Sequence, residues 1–411
     1  MIKKLFYLFI FFAPFTSFFA LSAWLRLPVV INQILFIFLI IGIFQHSFVK
    51  TKWIVKEDLY LVAFLVLVWL SFVLGFREKR SFNHSLAYTN SILFYFFLSK
   101  YIISQFKISS LRIAKVIYWS FITCSFIIIV DFIGKNYYDY SLRSTFSEVD
   151  GVISNMDYFI RAGMFRVGGV AEEPGHMAIF YNIYFGIALF YIHQRSTSKK
   201  YIWISILFLI SHFAIMSNAG IVLPIIAVIS IFLINKLSKL KITSKQLFWL
   251  LSIFALILVV STVLLFFDVG QNSQTLEAFF NKIFFSETAE YSSSGQRLKQ
   301  WDRALSNFIK HPIFGNGPGY GVNEDPEGYL SVYLTILSDI GIIAFLLFIS
   351  FQGALIQKIM KVKNTIRNFI LFCIITTFFH LIIIADFYHA PLWILFVFIQ
   401  LVYKEQKEVE L

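Results

Sequence analysis

Hydrophobic residues run along this chain in long blocks, and the polar residues collect between the blocks. A helix that crosses a bilayer needs about 20 mostly apolar residues, roughly 17 to 25. Twelve segments meet that requirement: 5–25, 28–45, 59–76, 85–105, 113–133, 176–193, 201–217, 219–235, 246–267, 328–354, 368–385 and 388–403. The fourth is interrupted by Lys100, and only a short turn at Asn218 separates the seventh from the eighth. Lys3 and Lys4 before the first block look like the start of a signal peptide. The charge-free run from Leu5 to Leu25 is long for that, and no small-residue cleavage site follows, so it reads as a retained first helix. The pattern predicts an all-α, polytopic membrane protein of about twelve transmembrane helices, forming one domain over residues 1–411.

Composition supports the pattern and removes the soluble classes. Of 411 residues, 58% are hydrophobic and 14% charged, against roughly 25% charged in soluble domains. The 51 phenylalanines alone exceed what a soluble interior can hide. The net charge of +12 would suggest nucleic acid on a soluble protein, but in a membrane protein it reports orientation. With both termini cytoplasmic, 22 of the 35 Lys and Arg residues fall in inner segments. One outer loop breaks the rule, with Arg77, Lys79 and Arg80 together. Cys124 and Cys373 both lie inside apolar runs, which excludes a disulfide framework or a cysteine-based metal site.

The chemistry concentrates in two long outer segments, about 134–175 and 268–327. The first contains Arg161, Arg166, Gly168-Gly169, Glu172, Glu173-Pro174 and His176, abutting the sixth helix. Arginine's planar fork suits phosphate oxygens, and a Gly pair lets backbone approach a ligand. Glu173 also reads as an ordinary helix-start acid, since Pro174 fits a first turn. In the second segment Leu298, Trp301, Leu305 and Phe308 recur at helical spacing, which predicts an amphipathic helix stopped by Pro312. Arg297 and Arg303 lie on it, and its cations also suit lipid headgroups. A Gly315, Gly317, Gly319, Gly321 ladder follows, then Glu324, Asp325 and Glu327, and Asp339 inside the tenth span. A carboxylate at membrane depth marks either function or an interhelical pair. Asp386 and His389 before the last span could add a pair to the same face, but read first as a helix-end cap.

In four places these residues resemble the bacterial O-antigen polymerase (Wzy-type) and O-antigen ligase superfamily. They are Arg166-Val-Gly-Gly through Glu173-Pro174-Gly-His176, Ser217-Asn-Ala-Gly220 without the family's arginine, Arg297 through Trp301 and His311-Pro312 to Gly319, and Gly328-Tyr329-Leu330 followed by Ser338-Asp339-Ile-Gly341. The resemblance covers about residues 160–345. Ligases of the superfamily carry a histidine just before the Tyr-Leu pair, where this chain has Asp325-Pro326-Glu327, which tilts the reading toward a polymerase.

The resemblance implies a glycosyltransferase-C-like membrane enzyme of the bacterial inner membrane, with its site on the periplasmic side. It would transfer a glycan from a polyprenyl (undecaprenyl) diphosphate carrier to the terminal sugar of another lipid-linked repeat unit. It would use no metal or cofactor, and would work with a chain-length regulator and a flippase. Arg161, Arg166, Arg297 and Arg303 would bind the diphosphate, and Glu173, His176 or Glu327, unranked, would serve as base. Trp301, Tyr320 and Tyr329 would stack on sugars, with Gly315, Gly317, Gly319 and Asp339 nearby. An O-antigen ligase, a flippase of lipid-linked oligosaccharide and a structural partner of an assembly complex remain as alternatives.

Overall fold

The computed structural model describes residues 1–22, 25–44, 53–142, 160–161, 164–195, 198–239, 293–385 and 387–410. The predicted span 246–267, much of both long loops, the Arg161 side chain and Asp386 lie outside them. Apart from a hairpin of β1 (Ile160–Arg161) and β2 (Met164–Phe165), every element described is helical.

In chain order the first helices are α1 (Ile2–Phe12), α2 (Leu27–Phe44), α3 (Asp58–Leu74), α4 (Lys79–Thr89), α5 (Ser99–Gln105) and α6 (Ser110–Tyr137). A π-helical stretch, Asn90–Leu98, joins α4 to α5. After the hairpin come α7 (Pro174–Gln194), α8 (Ser198–Ile215), α9 (Asn218–Lys239), α10 (Ser293–Lys310), α11 (Tyr320–Glu324), α12 (Val332–Asp339), α13 (Ile342–Met360), α14 (Asn364–His380) and α15 (Ala390–Glu410). Among the described residues four of these, α6, α7, α9 and α13, are long and apolar enough to cross a membrane, and α2, α3 and α8 contain shorter apolar helices. The apolar blocks therefore became helices, while the full count of twelve rests on segments beyond these.

Helix α7 is the axis of the bundle. It packs against α6, α8 and α14 and is buried along most of its length. Its 21 residues rise about 31 Å at 1.5 Å each, close to the roughly 30 Å hydrocarbon core. Gly186 lets α14 approach, since a Cβ there would overlap Cys373.

Two predicted spans are corrected. The first was expected over 5–25, but α1 ends at Phe12 because Pro14 has no N–H to offer the carbonyl of Ile10. Other helices satisfy the stranded carbonyls: the Tyr184 hydroxyl donates to Ile10 (2.8 Å) and the Ser120 hydroxyl to Phe11 (2.6 Å). Beyond it, Ser17 donates through both its N–H and its hydroxyl to the Val170 carbonyl (3.0 and 3.1 Å). The tenth span, expected over 328–354, is broken into α12 and α13 at Gly341. That residue takes φ +97°, and a Cβ there would overlap the Ile313 carbonyl.

The segment from Pro312 to Gly317 fills the break. The Ile342 N–H donates to the Pro312 carbonyl (2.9 Å), the Gly317 N–H to Asp339 (2.8 Å), and Asn316 through its N–H and Nδ2 to Ser338 (3.0 and 2.9 Å). From α3, the Ser71 hydroxyl also donates to the Asp339 carbonyl (2.8 Å). The exceptional Arg77–Arg80 loop sits at this same end. The Phe76 N–H donates to the Asn316 carbonyl (2.8 Å), and Arg80 donates to the Val322 carbonyl (2.6 Å).

The opposite end holds a buried charge cluster. Lys100 pairs with Asp58 and donates to Gln400 (2.6 Å), whose Nε2 donates back to Asp58 (3.0 Å). Trp53 and Phe96 rings lie 5.0 and 5.1 Å from the ammonium. Removing one partner of a buried pair costs about 3–5 kcal/mol, because the other charge stays buried. Lys100→Met is expected to lower the melting temperature of the detergent-solubilised protein, and Asp58→Asn added to it to recover most of the loss.

Candidate functional site

The site is built around the loop that the helix break receives. The carboxylate of Asp339, fully buried, accepts the N–H groups of Gly319 (Oδ2, 2.9 Å) and Gly321 (Oδ1, 3.2 Å). Two N–H donors converge on one carboxylate because Gly319 takes φ +78°, turning the chain into α11. Asp339 is thus a loop clamp. The Gly ladder approaches not an open surface but the protein itself: a Cβ on Gly315 would strike Asp339, one on Gly317 would strike Phe76, and one on Gly319 would strike His84.

Side chains of α10 tighten the same loop. Asn307 donates through Nδ2 to Glu324 (2.6 Å) and to the Tyr329 hydroxyl (3.0 Å), which also accepts from Ser338 (3.0 Å). Arg303 donates to the carbonyls of Gly321 (3.3 Å) and Gly328 (2.8 Å), pairs with Asp325 (3.0 Å) and lies over the Tyr329 ring at 5.2 Å. Burial opposes ionisation of Asp325. The Gln300 amide, the Glu327 N–H and Arg303 overcome that, holding its pKa below the ordinary value. These contacts correct two expectations. Tyr329 is 1% exposed and has no open face for a sugar, and both Nη groups of Arg303 are engaged by the loop.

Arg297 stands one helical turn before Trp301 on α10 and two before Arg303, and it faces the charges of Glu173 and Glu327. Burial pulls the guanidinium's pKa down and those two carboxylates pull it back up. Glu173 arrives from the first outer segment at the N-cap of α7. The helix-start reading holds for its position, and its carboxylate makes no side-chain capping bond. Glu327 arrives on the clamped loop, exposed. Three residues from distant parts of the chain thus make one charge cluster.

Trp301 marks the edge of an apolar cavity of about 490 Å³, lined by Tyr333, Leu334, Phe345, Ile349 and Phe378 among others. Tyr320 stands edge-on to Phe76 (5.9 Å), and a hydrogen bond to Glu324, then burial, pushes its pKa up to about 12. Arg166, half-buried, donates to the Ile215 carbonyl at the end of α8 (3.4 Å). Its Gly168-Gly169 neighbours fold against Ala171, Glu173 and Ile128. The Ser217–Gly220 turn opens α9 beside α7, where Ala178 limits the space at Gly220. His176 is buried, with its ring 5.1 Å from that of His389, which the sequence read first as a cap.

Three further residues were missed. Arg26, alone between two apolar blocks, pairs with Glu172, the neighbour of Glu173. Arg80 and His84 reach the loop from α4, and the signal for them was the break in the positive-inside rule. Among the described residues no group of three or more His, Cys, Asp or Glu side chains is placed to hold a metal ion.

Residues 202–349 match the family model described as O-antigen ligase. The match spans about a third of the chain. The match contains Arg297, Trp301, Arg303, the Gly ladder, Glu327 and Asp339, while Arg166, Glu173 and His176 precede it. It supports the resemblance to the O-antigen ligase and polymerase superfamily, and the four long apolar helices fit a membrane protein. No curated protein matches the chain.

The clamp makes a prediction for the matched region. A buried donor left without its acceptor costs about 1–3 kcal/mol. Asp339→Ala is expected to speed hydrogen exchange in peptides covering residues 315–328 by roughly ten-fold or more, since 1.4 kcal/mol is about a factor of ten. Exchange in α7 should not change.

Proposed function

We propose that the chain is a surface-polysaccharide polymerase that transfers a glycan from a polyprenyl diphosphate to the terminal sugar of a second lipid-linked repeat unit, at the periplasmic face of the inner membrane. The observation that carries this reading is a partly buried Arg297, within electrostatic reach of Glu173 and Glu327, one helical turn from Trp301 at the edge of an apolar cavity. A diphosphate joined to a hydrocarbon chain needs that pairing of a cationic anchor with an apolar seat.

In this reaction the acceptor hydroxyl oxygen attacks the anomeric carbon, and the bond from that carbon to the diphosphate oxygen breaks. The leaving group departs with the electron pair and gains negative charge. Arg297 stabilises that charge through charge-assisted hydrogen bonds in a partly dehydrated setting. The hydroxyl proton passes to a carboxylate, for which Glu327 is the first choice: it is exposed to an incoming hydroxyl and sits on a loop held still by Asp339 and Arg303. Glu173 is then the partner that keeps Arg297 oriented. Arg166, on the same outer segment as Glu173, is a second candidate cation, and Arg303 acts by positioning the loop.

A ligase reading draws on the description of the matching family. It differs in the acceptor, which would be a mature glycolipid instead of another repeat unit. The carboxylates at Asp325 and Glu327, where ligases carry histidine, favour the polymerase.

The test is elongation of lipid-linked repeat units by the purified full chain in detergent, where a flippase has no second compartment to act across. Lengthening of the repeat-unit lipid supports the polymerase, and transfer only to an added glycolipid supports the ligase. Losing one preorganised charge-stabilising donor costs about 100-fold or more in turnover. Arg297→Ala is expected to show that loss and Arg297→Lys a smaller one. Glu327→Gln should lose about 100-fold with an unchanged melting temperature; full activity would move the base to Glu173 or His176.

A further inference from the structure

Beside the clamped loop lies a second cavity of about 470 Å³, lined by Glu78, Lys79, Arg80, Asn83, His84 and Val322. It differs in kind from the apolar one at Trp301, because five of its six lining residues carry charged or hydrogen-bonding side chains. Small-molecule pockets span roughly 300 to 1,000 Å³, so it is large enough for a few sugar rings.

The cavity is tied to the catalytic loop by its own walls. Arg80 holds the Val322 carbonyl (2.6 Å) while Arg303 holds the preceding one, that of Gly321 (3.3 Å). His84 packs against Gly319 and shares a 2.6 Å hydrogen bond with the Tyr388 hydroxyl. Burial, then the charge of Arg80, lowers its pKa to about 4, so the imidazole is neutral, and with Nδ1 bonded to Tyr388 it has Nε2 left as a single donor or acceptor. Lys79 and Asn83 supply further donors, and Glu78 and Asn83 supply acceptors. This mixture suits hydroxyl groups, which both give and accept hydrogen bonds. The surplus of Lys79 and Arg80, with Arg77 adjacent, over Glu78 also admits acidic sugars.

We propose that this cleft binds a stretch of the carbohydrate chain, neutral or acidic, and so fixes the position of the glycan relative to Glu327. The proposal explains why the Arg77–Arg80 loop keeps three cations on the outer face against the positive-inside tendency. It rests on the glycan-transfer reading for the identity of the chain, but its first test reads binding alone.

The probe is the lipid-free oligosaccharide released by mild acid from the lipid-linked repeat units of the cells that make this protein. Both cysteines are buried, so a single reactive cysteine is introduced into the full chain by Asn83→Cys or, as a control in the apolar cavity, by Ile382→Cys. Each is labelled with a photoreactive maleimide, checked for an unchanged melting temperature and irradiated with the probe. Saturable attachment of carbohydrate at position 83, at least five-fold above position 382, is the expected result. Equal labelling at both positions, or none at 83, overturns the proposal. In the elongation assay Asn83→Trp, which fills the cleft, is expected to raise the apparent KM for the acceptor at least ten-fold while kcat changes less than two-fold. An unchanged KM overturns it. Should the unaltered protein elongate nothing, the polymerase reading fails, and the cross-link still decides whether the cleft holds sugar.

Discussion

Lipid offers no water to a backbone N–H or C=O, so any interruption of a helix in this bundle must find its hydrogen bonds inside the protein. The break between α12 and α13 is where that constraint shapes everything around it. It exposes the carbonyls of Ser338 and Asp339 and leaves the Ile342 N–H without a helical acceptor, and the segment from Pro312 to Gly317 answers all three. Once that segment is seated, the Asp339 carboxylate meets the next two N–H groups of the loop, at Gly319 and Gly321. Glu327 is thereby carried on a stretch whose backbone is anchored at several points, which gives a loop residue some of the fixed geometry of one on a helix. Arg297 is positioned differently, by the regular turns of α10, and Glu173 by the start of the most buried helix.

Much of the helical layout was readable because bilayer thickness imposes a length on apolar blocks. The blocks at 28–45, 59–76 and 176–193 became α2, α3 and α7 with nearly the expected limits. The amphipathic helix ended before Pro312 as its spacing required. Hydropathy failed where one residue redirects the backbone without changing the average. Pro14 ended α1 early, and Gly341 split a span that reads as one long, mainly apolar block.

The site was legible in outline and not in its division of labour. Arg297 and Arg303 are six residues apart on one helix, and nothing in their sequence separates them. Only the fold shows that Arg303 meets two carbonyls and Asp325 while Arg297 meets two carboxylates from elsewhere. Tyr329 was indistinguishable from an interfacial aromatic until Asn307, Ser338 and Arg303 closed over it. The Arg77–Arg80 loop did announce itself, as an exception to a charge rule, and the docking of Arg80 onto Val322 gives that exception a place.

The Asp58, Lys100 and Gln400 cluster at the far end has a bearing on assembly. Asp58 and Lys100 are 42 residues apart, whereas Gln400 is 300 residues beyond Lys100. The ribosome therefore releases the charged pair long before the amide that completes its hydrogen bonding. Until α15 arrives, the early helices carry a partly solvated ion pair, and they stay open on that side. The last helix completes the hydrogen bonding of this pair, so the packing of α3 and α5 at that end is coupled to the docking of α15.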